Sequence, residues 1–195
     1  LVRQGKVIYV GFSEWTAEQI AAGLKIQDQR GYNRFISSQP QYSALWRVIE
    51  AEVVPLSRKE GIGQIVWSPM AQGVLTGKYL PGKKPPSGSR ATDKKSGAAM
   101  ISRWMRDDVL TAVQKLHPIA DELGITMGQL SLAWALANPN VSSVIMGATK
   151  PSQVKENVKA SGVKLSSETM RAIDNALGNL PETDPSKTTS PNPRP

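Results

Sequence analysis

Four short apolar runs recur along the chain, and each gives way to a segment of helical pattern. The runs are "KVIYVGFS", about Val7 to Gly11 and closing at Ser13; "RFISSQ", closing at Gln39; "GQIVWSP", closing at Ser68 and Pro69; and "SSVIMG", closing at Gly147. A helix between two strands carries the chain back to the end where the first strand began, which makes the sheet parallel and the class α/β. All four strands end in small or polar residues. In parallel α/β folds ligands gather at the carboxyl ends of strands, so these four ends predict one shared rim.

Between the strands the pattern predicts helices with defined ends. Thr16 and Gln19 form a capping box ahead of Ile20 and Leu24, and Gly31 closes that helix. A second helix runs through "VIEAEVVPLSRKEG", where Pro55 delays or kinks it. "DDVLTAVQKLHPIADELG" reads as one helix with an acidic first turn, and Thr126 with Gln129 caps the next. Pro151 stands at a natural first helical position, and "SSETMRAIDNALG" is the last helix. Residues 179–195 read as a disordered tail after a folded unit at 1–178.

Composition narrows the chemistry. With no cysteine there is no disulfide or thiolate metal site, and one histidine excludes a histidine-rich metal centre. No apolar run approaches the roughly 20 residues of a membrane span, and the expectation is a cytoplasmic protein with no membrane partner. The net charge is +8, and its excess is local: from Lys78 to Arg106 eight basic residues face one acid, Asp93. That stretch, from Gly73 to Arg106, is rich in Gly, Pro, Ser and Lys. It is too long for a plain connection and is expected to be a lid-like loop able to attract phosphate. A nucleic-acid module is the remote alternative, and no nucleic acid is expected because the aromatics do not interleave with the cations.

Two motifs carry chemistry on residues alone. "GATKPSQVKEN" places Gly147, Thr149 and Lys150 ahead of a helix whose Gln153, Glu156 and Asn157 share one face. Such a turn either caps a helix or receives an anion. In "WSPMAQGVLTGKY", Trp67 either closes a core or stacks on a flat ring. Gly73 and Gly77 let backbone approach a ligand. His117 stands before Pro118, far from any strand end, and is read as structural. No general-acid arrangement emerges among Tyr9, Tyr32, Tyr42 and Tyr79.

"GKVIYVGFSEW", "SSQPQYS", "IVWSPMAQGVLTGKY" and "VIMGATKPSQVKENVKAS" resemble, in order and spacing, the aldo-keto reductase superfamily. The resemblance is to bacterial members of the branch that includes the voltage-gated potassium channel beta subunits. It implies a (β/α)8 TIM barrel of which this chain is the C-terminal half, strands five to eight with their helices. It also implies NADPH, a small-molecule carbonyl substrate and a possible homo-oligomer. By the resemblance, Ser13 and Gln39 hold the nicotinamide carboxamide and Trp67 stacks on the ring. Glu14 stands where the family often has asparagine or arginine. Ser68, Pro69, Met70, Ala71 and Gly73 line the pyrophosphate, with Lys78 nearby. Arg90 helps hold the 2′-phosphate, Gly147, Thr149 and Gln153 grip phosphate beside the charge that Lys150 adds on residue type alone, and Glu156 and Asn157 reach the adenine. The family's catalytic Asp, Tyr, Lys and His lie on earlier strands, so none is expected here. A non-catalytic, NADPH-binding regulatory member is the alternative.

Overall fold

The computed structural model describes residues 1–95 and 97–188. Four strands, β1 (Gly11–Phe12), β2 (Ser37–Ser38), β3 (Gly63–Trp67) and β4 (Val141–Ile145), form one parallel sheet. Their order in the sheet is their order in the chain, with no reversal. Helix α1 (Ala17–Arg30) connects β1 to β2 and α2 (Val53–Glu60) connects β2 to β3. Between β3 and β4 lie the short α3 (Gly97–Ile101), then α4 (Asp107–Gln114), α5 (His117–Glu122) and α6 (Met127–Leu136). After β4 come α7 (Pro151–Asn157) and α8 (Ser167–Leu177).

Local chemistry accounts for the helix ends. Thr16 and Gln19 exchange both bonds of a capping box, as do Thr126 and Gln129. Gly31 and Gly61 close α1 and α2 in the left-handed conformation. Pro55 is the third residue of α2, where the missing N–H would have had no helical partner. The helix therefore starts at Val53 rather than further upstream. One apolar core joins the layers: Ile20 and Leu24 of α1, Val53 of α2, Val66 of β3, Trp134 of α6 and Ile173 of α8 all belong to it.

Three expectations are corrected, over the first strand, the helix at 107–124 and the tail. The first strand is not Val7 to Gly11 but two residues, Gly11–Phe12. Its one sheet neighbour, β2, offers only two ladder partners, and Ile8 and Tyr9 stand 79% and 68% exposed. The single helix expected over residues 107–124 is broken between α4 and α5. Pro118 cannot donate to a preceding carbonyl, so α5 restarts with it near its first turn. The stretch from Gly73 to Arg106 is anchored at both ends, because Tyr79, Ile101 and Trp104 are buried and α3 packs on the turn at Ala71–Thr76. Ser96 of that stretch lies outside the described residues.

The tail is corrected in part. Glu182 donates its N–H to Leu45 and accepts one from Arg47, and Thr188 is buried. Residues 181–188 thus belong to the folded unit, while residues 189–195 lie outside the described residues. No helix of the described residues is long and apolar enough to cross a membrane.

Candidate functional site

The rim at the carboxyl ends of the strands concentrates unusual backbone. Among the described residues the non-glycine residues with positive φ are Glu14, Ser68, Ala71 and Gln72. One follows β1 and three follow β3. L-residues pay for this conformation, and such residues gather where the fold must present side chains in a fixed direction.

The end of β1 is tied to the end of β2. Ser13 Oγ donates to the carbonyl of Gln39 at 2.6 Å, and Gln39 N–H donates to Phe12 O at 2.8 Å. A hydroxyl that spends its proton on Gln39 keeps its lone pairs, so Ser13 can still accept from an incoming amide. The clamp takes the backbone of Gln39 and leaves its side chain in an exposed residue. Past Pro40 the second strand again meets the third: Trp67 N–H donates to Pro40 O, and Tyr42 N–H to Trp67 O.

Trp67 is half-buried, and its indole Nε1 donates to Glu14 Oε1 at 2.9 Å. The same carboxylate oxygen accepts the N–H of Gln41 at 2.6 Å. One edge of the ring is therefore fixed. After Trp67 the chain turns sharply: Gln72 Nε2 donates to Ser68 Oγ, Pro69 and Ala71 are buried, and Gly73 adopts φ +100. At Gly73 a Cβ would meet Lys78 Nζ at 3.3 Å, so the ammonium lies against that turn.

The third wall comes from β4 and α7. Asn157 Nδ2 donates to Met146 Sδ, and Gln129 Nε2 of α6 donates to Glu156 O. Met70 Sδ and Asn157 Oδ1 both lie beside Gly128, 3.7 and 3.6 Å from where its Cβ would be. The loop after β3 and the end of α7 thus converge over the start of α6. Gly147, Thr149 and Lys150 are exposed. The amides of Thr149 and Lys150 are not open in this arrangement, because Gln153 Oε1 accepts from Thr149 N at 2.7 Å and from Lys150 N at 3.2 Å.

The structure therefore brings Ser13, Gln39, Trp67 and the Ser68–Gly73 turn together, with Lys78 beside that turn. Met70 and Asn157 both lie beside Gly128, and Glu156 is tied to α6 by its backbone. Arg90 stands apart: it opens a separate turn packed on α3, and no hydrogen bond or ion pair joins it to α7 among the described residues. Gln72 escaped sequence reading, and Glu14 was marked there only as a departure from the family's usual asparagine or arginine. A positive φ at a glutamate has no signature in the sequence, and the partners of Glu14 are 27 and 53 residues away. The described residues hold no cluster of His, Asp and Glu able to bind a metal.

The residues fit a dinucleotide in chemical type. The rim offers a ring with one pinned edge, a hydroxyl acceptor, a tight backbone turn beside an ammonium, and polar groups on α7.

Comparison with known proteins gives the family. The Aldo/keto reductase family model matches residues 1–177. A protein of Arabidopsis thaliana named "Probable voltage-gated potassium channel subunit beta" is 45% identical over 161 residues, which cover 82% of this chain and 48% of that protein. A protein of the same name from Oryza sativa subsp. japonica is 42% identical over 161 residues, with the same coverage. A Schizosaccharomyces pombe protein named for the same kind of subunit is 40% identical over 185 residues, 93% of this chain and 53% of that protein. The chain spans about half the length of these relatives. With the family model covering nearly all of it, the chain belongs to the aldo/keto reductase family.

Proposed function

We propose that this chain supplies the cofactor-binding half of an NADPH-dependent oxidoreductase that reduces an aldehyde or ketone to an alcohol. The observation that carries the reading is the rim itself. Ser13, Gln39, Trp67 and the strained Ser68–Gly73 turn stand at the ends of three neighbouring strands. Parallel strands in chain order, each returned by helices, agree with strands five to eight of a (β/α)8 barrel.

When bound, the reduced nicotinamide supplies hydride to a carbonyl carbon. This chain's residues bind and orient. Ser13 and Gln39 receive the carboxamide, Trp67 gives the ring a flat support, and Lys78 lies by the turn that would follow the pyrophosphate. Lys150 and Arg90 supply cations for a 2′-phosphate, with Arg90 brought in by movement of its loop. The proton donor belongs to strands outside this chain, so the carbonyl chemistry is a property of the full-length protein.

A second reading has a specific support. The relatives named above carry the names of potassium channel subunits, which fits a cofactor-bound partner protein without turnover. One experiment separates the two. NADPH and NADH are titrated into the full-length protein, and NADPH oxidation is followed with a reactive aldehyde. Tighter NADPH binding with turnover supports the reductase, tight binding without turnover supports the partner protein, and no binding overturns both.

A further inference from the structure

We propose that Glu14 is a positioning residue for the nicotinamide end of the site, acting through Trp67; the inference rests on the NADPH reading above. Three observations converge on it. The carboxylate oxygen Oε1 accepts the indole N–H of Trp67 at 2.9 Å and the backbone N–H of Gln41 at 2.6 Å. It therefore joins the ends of β1, β2 and β3 through one atom. The backbone of Glu14 is held at φ +56, a conformation that an L-residue rarely adopts. The next residue, Trp15, is locked into a cluster with Phe12 and Phe35, with ring centroids 5.0–5.6 Å apart. The strained residue is thus gripped on one side by packed rings and on the other by its own carboxylate.

The consequence falls on Trp67. An indole on a rim with a free N–H edge samples more than one rotamer, and each ligand that stacks on it must first select one. With the N–H anchored, the ring is presented in advance, and the selection cost is removed from binding. A glutamate does this better than a shorter or uncharged acceptor, since a charged acceptor makes the stronger hydrogen bond. Glu14 need not touch the cofactor, and it is not a catalytic residue.

The test uses two ligands that divide the site. Dissociation constants for NADPH and for adenosine 2′,5′-bisphosphate are measured in the full-length protein, in Glu14→Ala and in Glu14→Gln. Glu14→Ala is expected to weaken NADPH about tenfold and to leave the bisphosphate, which has no nicotinamide, within about twofold. Glu14→Gln, whose carbonyl oxygen can accept both N–H groups, restores most of the loss. Trp67→Phe removes the second ring together with the anchored donor, so it should weaken NADPH alone. Glu14→Asp, a carboxylate too short to hold both N–H groups, carries the test if Glu14→Ala does not fold and should show the same selective loss. NADPH binding indifferent to Glu14, or an equal loss for both ligands, overturns the proposal alone. Failure of the unsubstituted protein to bind either ligand overturns the cofactor reading and this inference with it.

Discussion

The imidazole of His117 lies directly over Gly77. A methyl group on Gly77 would stand 2.5 Å from His117 Nε2, inside any permitted contact. Gly77 also adopts φ +74, and its carbonyl and that of Tyr79 both accept from Gln114 Nε2. The backbone on either side of Lys78 is therefore held by α4 and by the first residue of α5. Gly77→Ala should cost about 1–2 kcal/mol from the left-handed backbone alone, with the displaced ring adding to it. Thermal unfolding checks this. His117→Ala in the same background should recover only the steric part, giving a non-additive double-mutant cycle. A fully additive cycle would mean that the ring and the glycine do not touch.

Tyr42 gives a pH prediction. Its hydroxyl donates to Glu50 Oε1 at 2.7 Å, and its ring lies against Trp134. Burial, and then the negative charge of Glu50, push the phenol well above its ordinary value. The folded state thus favours the neutral phenol. The stabilisation is complete below the unfolded value of about 10 and is lost progressively as pH rises past it. Tyr42→Phe removes the titrating group. It should cost about 1 kcal/mol at neutral pH and flatten the alkaline decline seen in denaturant titrations between pH 9 and roughly pH 11. An unchanged decline would assign it to another group.

Sequence and structure agree best where local chemistry decides. Thr16 with Gln19 and Thr126 with Gln129 announce helix starts because a capping box is a four-residue affair. They diverge where distant partners decide. "KVIYV" has the composition of a buried strand, yet its pairing depends on how many residues β2 can offer, and β2 has two. The turn after β4 shows the same limit. Gly147–Lys150 reads as a capped helix or an anion site, the cap being favoured on local pattern, and the side-chain oxygen of Gln153 occupies the Thr149 and Lys150 amides in this arrangement. Glu14 was legible only as a departure from the family's usual asparagine or arginine, since its bonds to Gln41 and Trp67 close over 27 and 53 residues.

Gln153 invites a direct test of that turn. Removing its oxygen leaves the Thr149 and Lys150 amides with water alone. Gln153→Ala should speed hydrogen exchange at those two amides about three- to tenfold, the equivalent of one modest exposed bond. The rest of the molecule should not respond. If the two amides exchange at the unsubstituted rate, the cap contributes nothing.

The basic stretch after Tyr79 should behave as a tethered loop. Lys83, Lys84, Lys94 and Lys95 are exposed between the buried anchors Tyr79 and Ile101. Trypsin should cut the full-length protein there first, and saturating NADPH should slow that cut several-fold as Arg90 and its neighbours engage phosphate. Arg90→Ala should lose the protection and keep the cleavage. Cleavage that ignores the cofactor would remove the lid role.

The two outer strands lead to the last prediction. Among the described residues β1 and β4 each have one neighbour in the sheet, so each leaves a row of backbone groups with no described strand beside it. Apolar side chains mark both edges: Ile8 and Tyr9 near β1, and Ile145, 42% exposed, at the end of β4. No charged residue interrupts Val7–Phe12 or Val141–Ile145. An uncharged apolar edge pairs readily with another strand, and each Å² of apolar surface it covers is worth about 25 cal/mol. The 195-residue chain expressed by itself should therefore associate with itself. Light scattering after gel filtration should report dimers or larger species at micromolar concentration. Ile8→Lys together with Ile145→Lys, one charge on each edge, should shift the population toward monomer without loss of helical signal. A monomer in the unsubstituted chain would show that these edges are protected in solution.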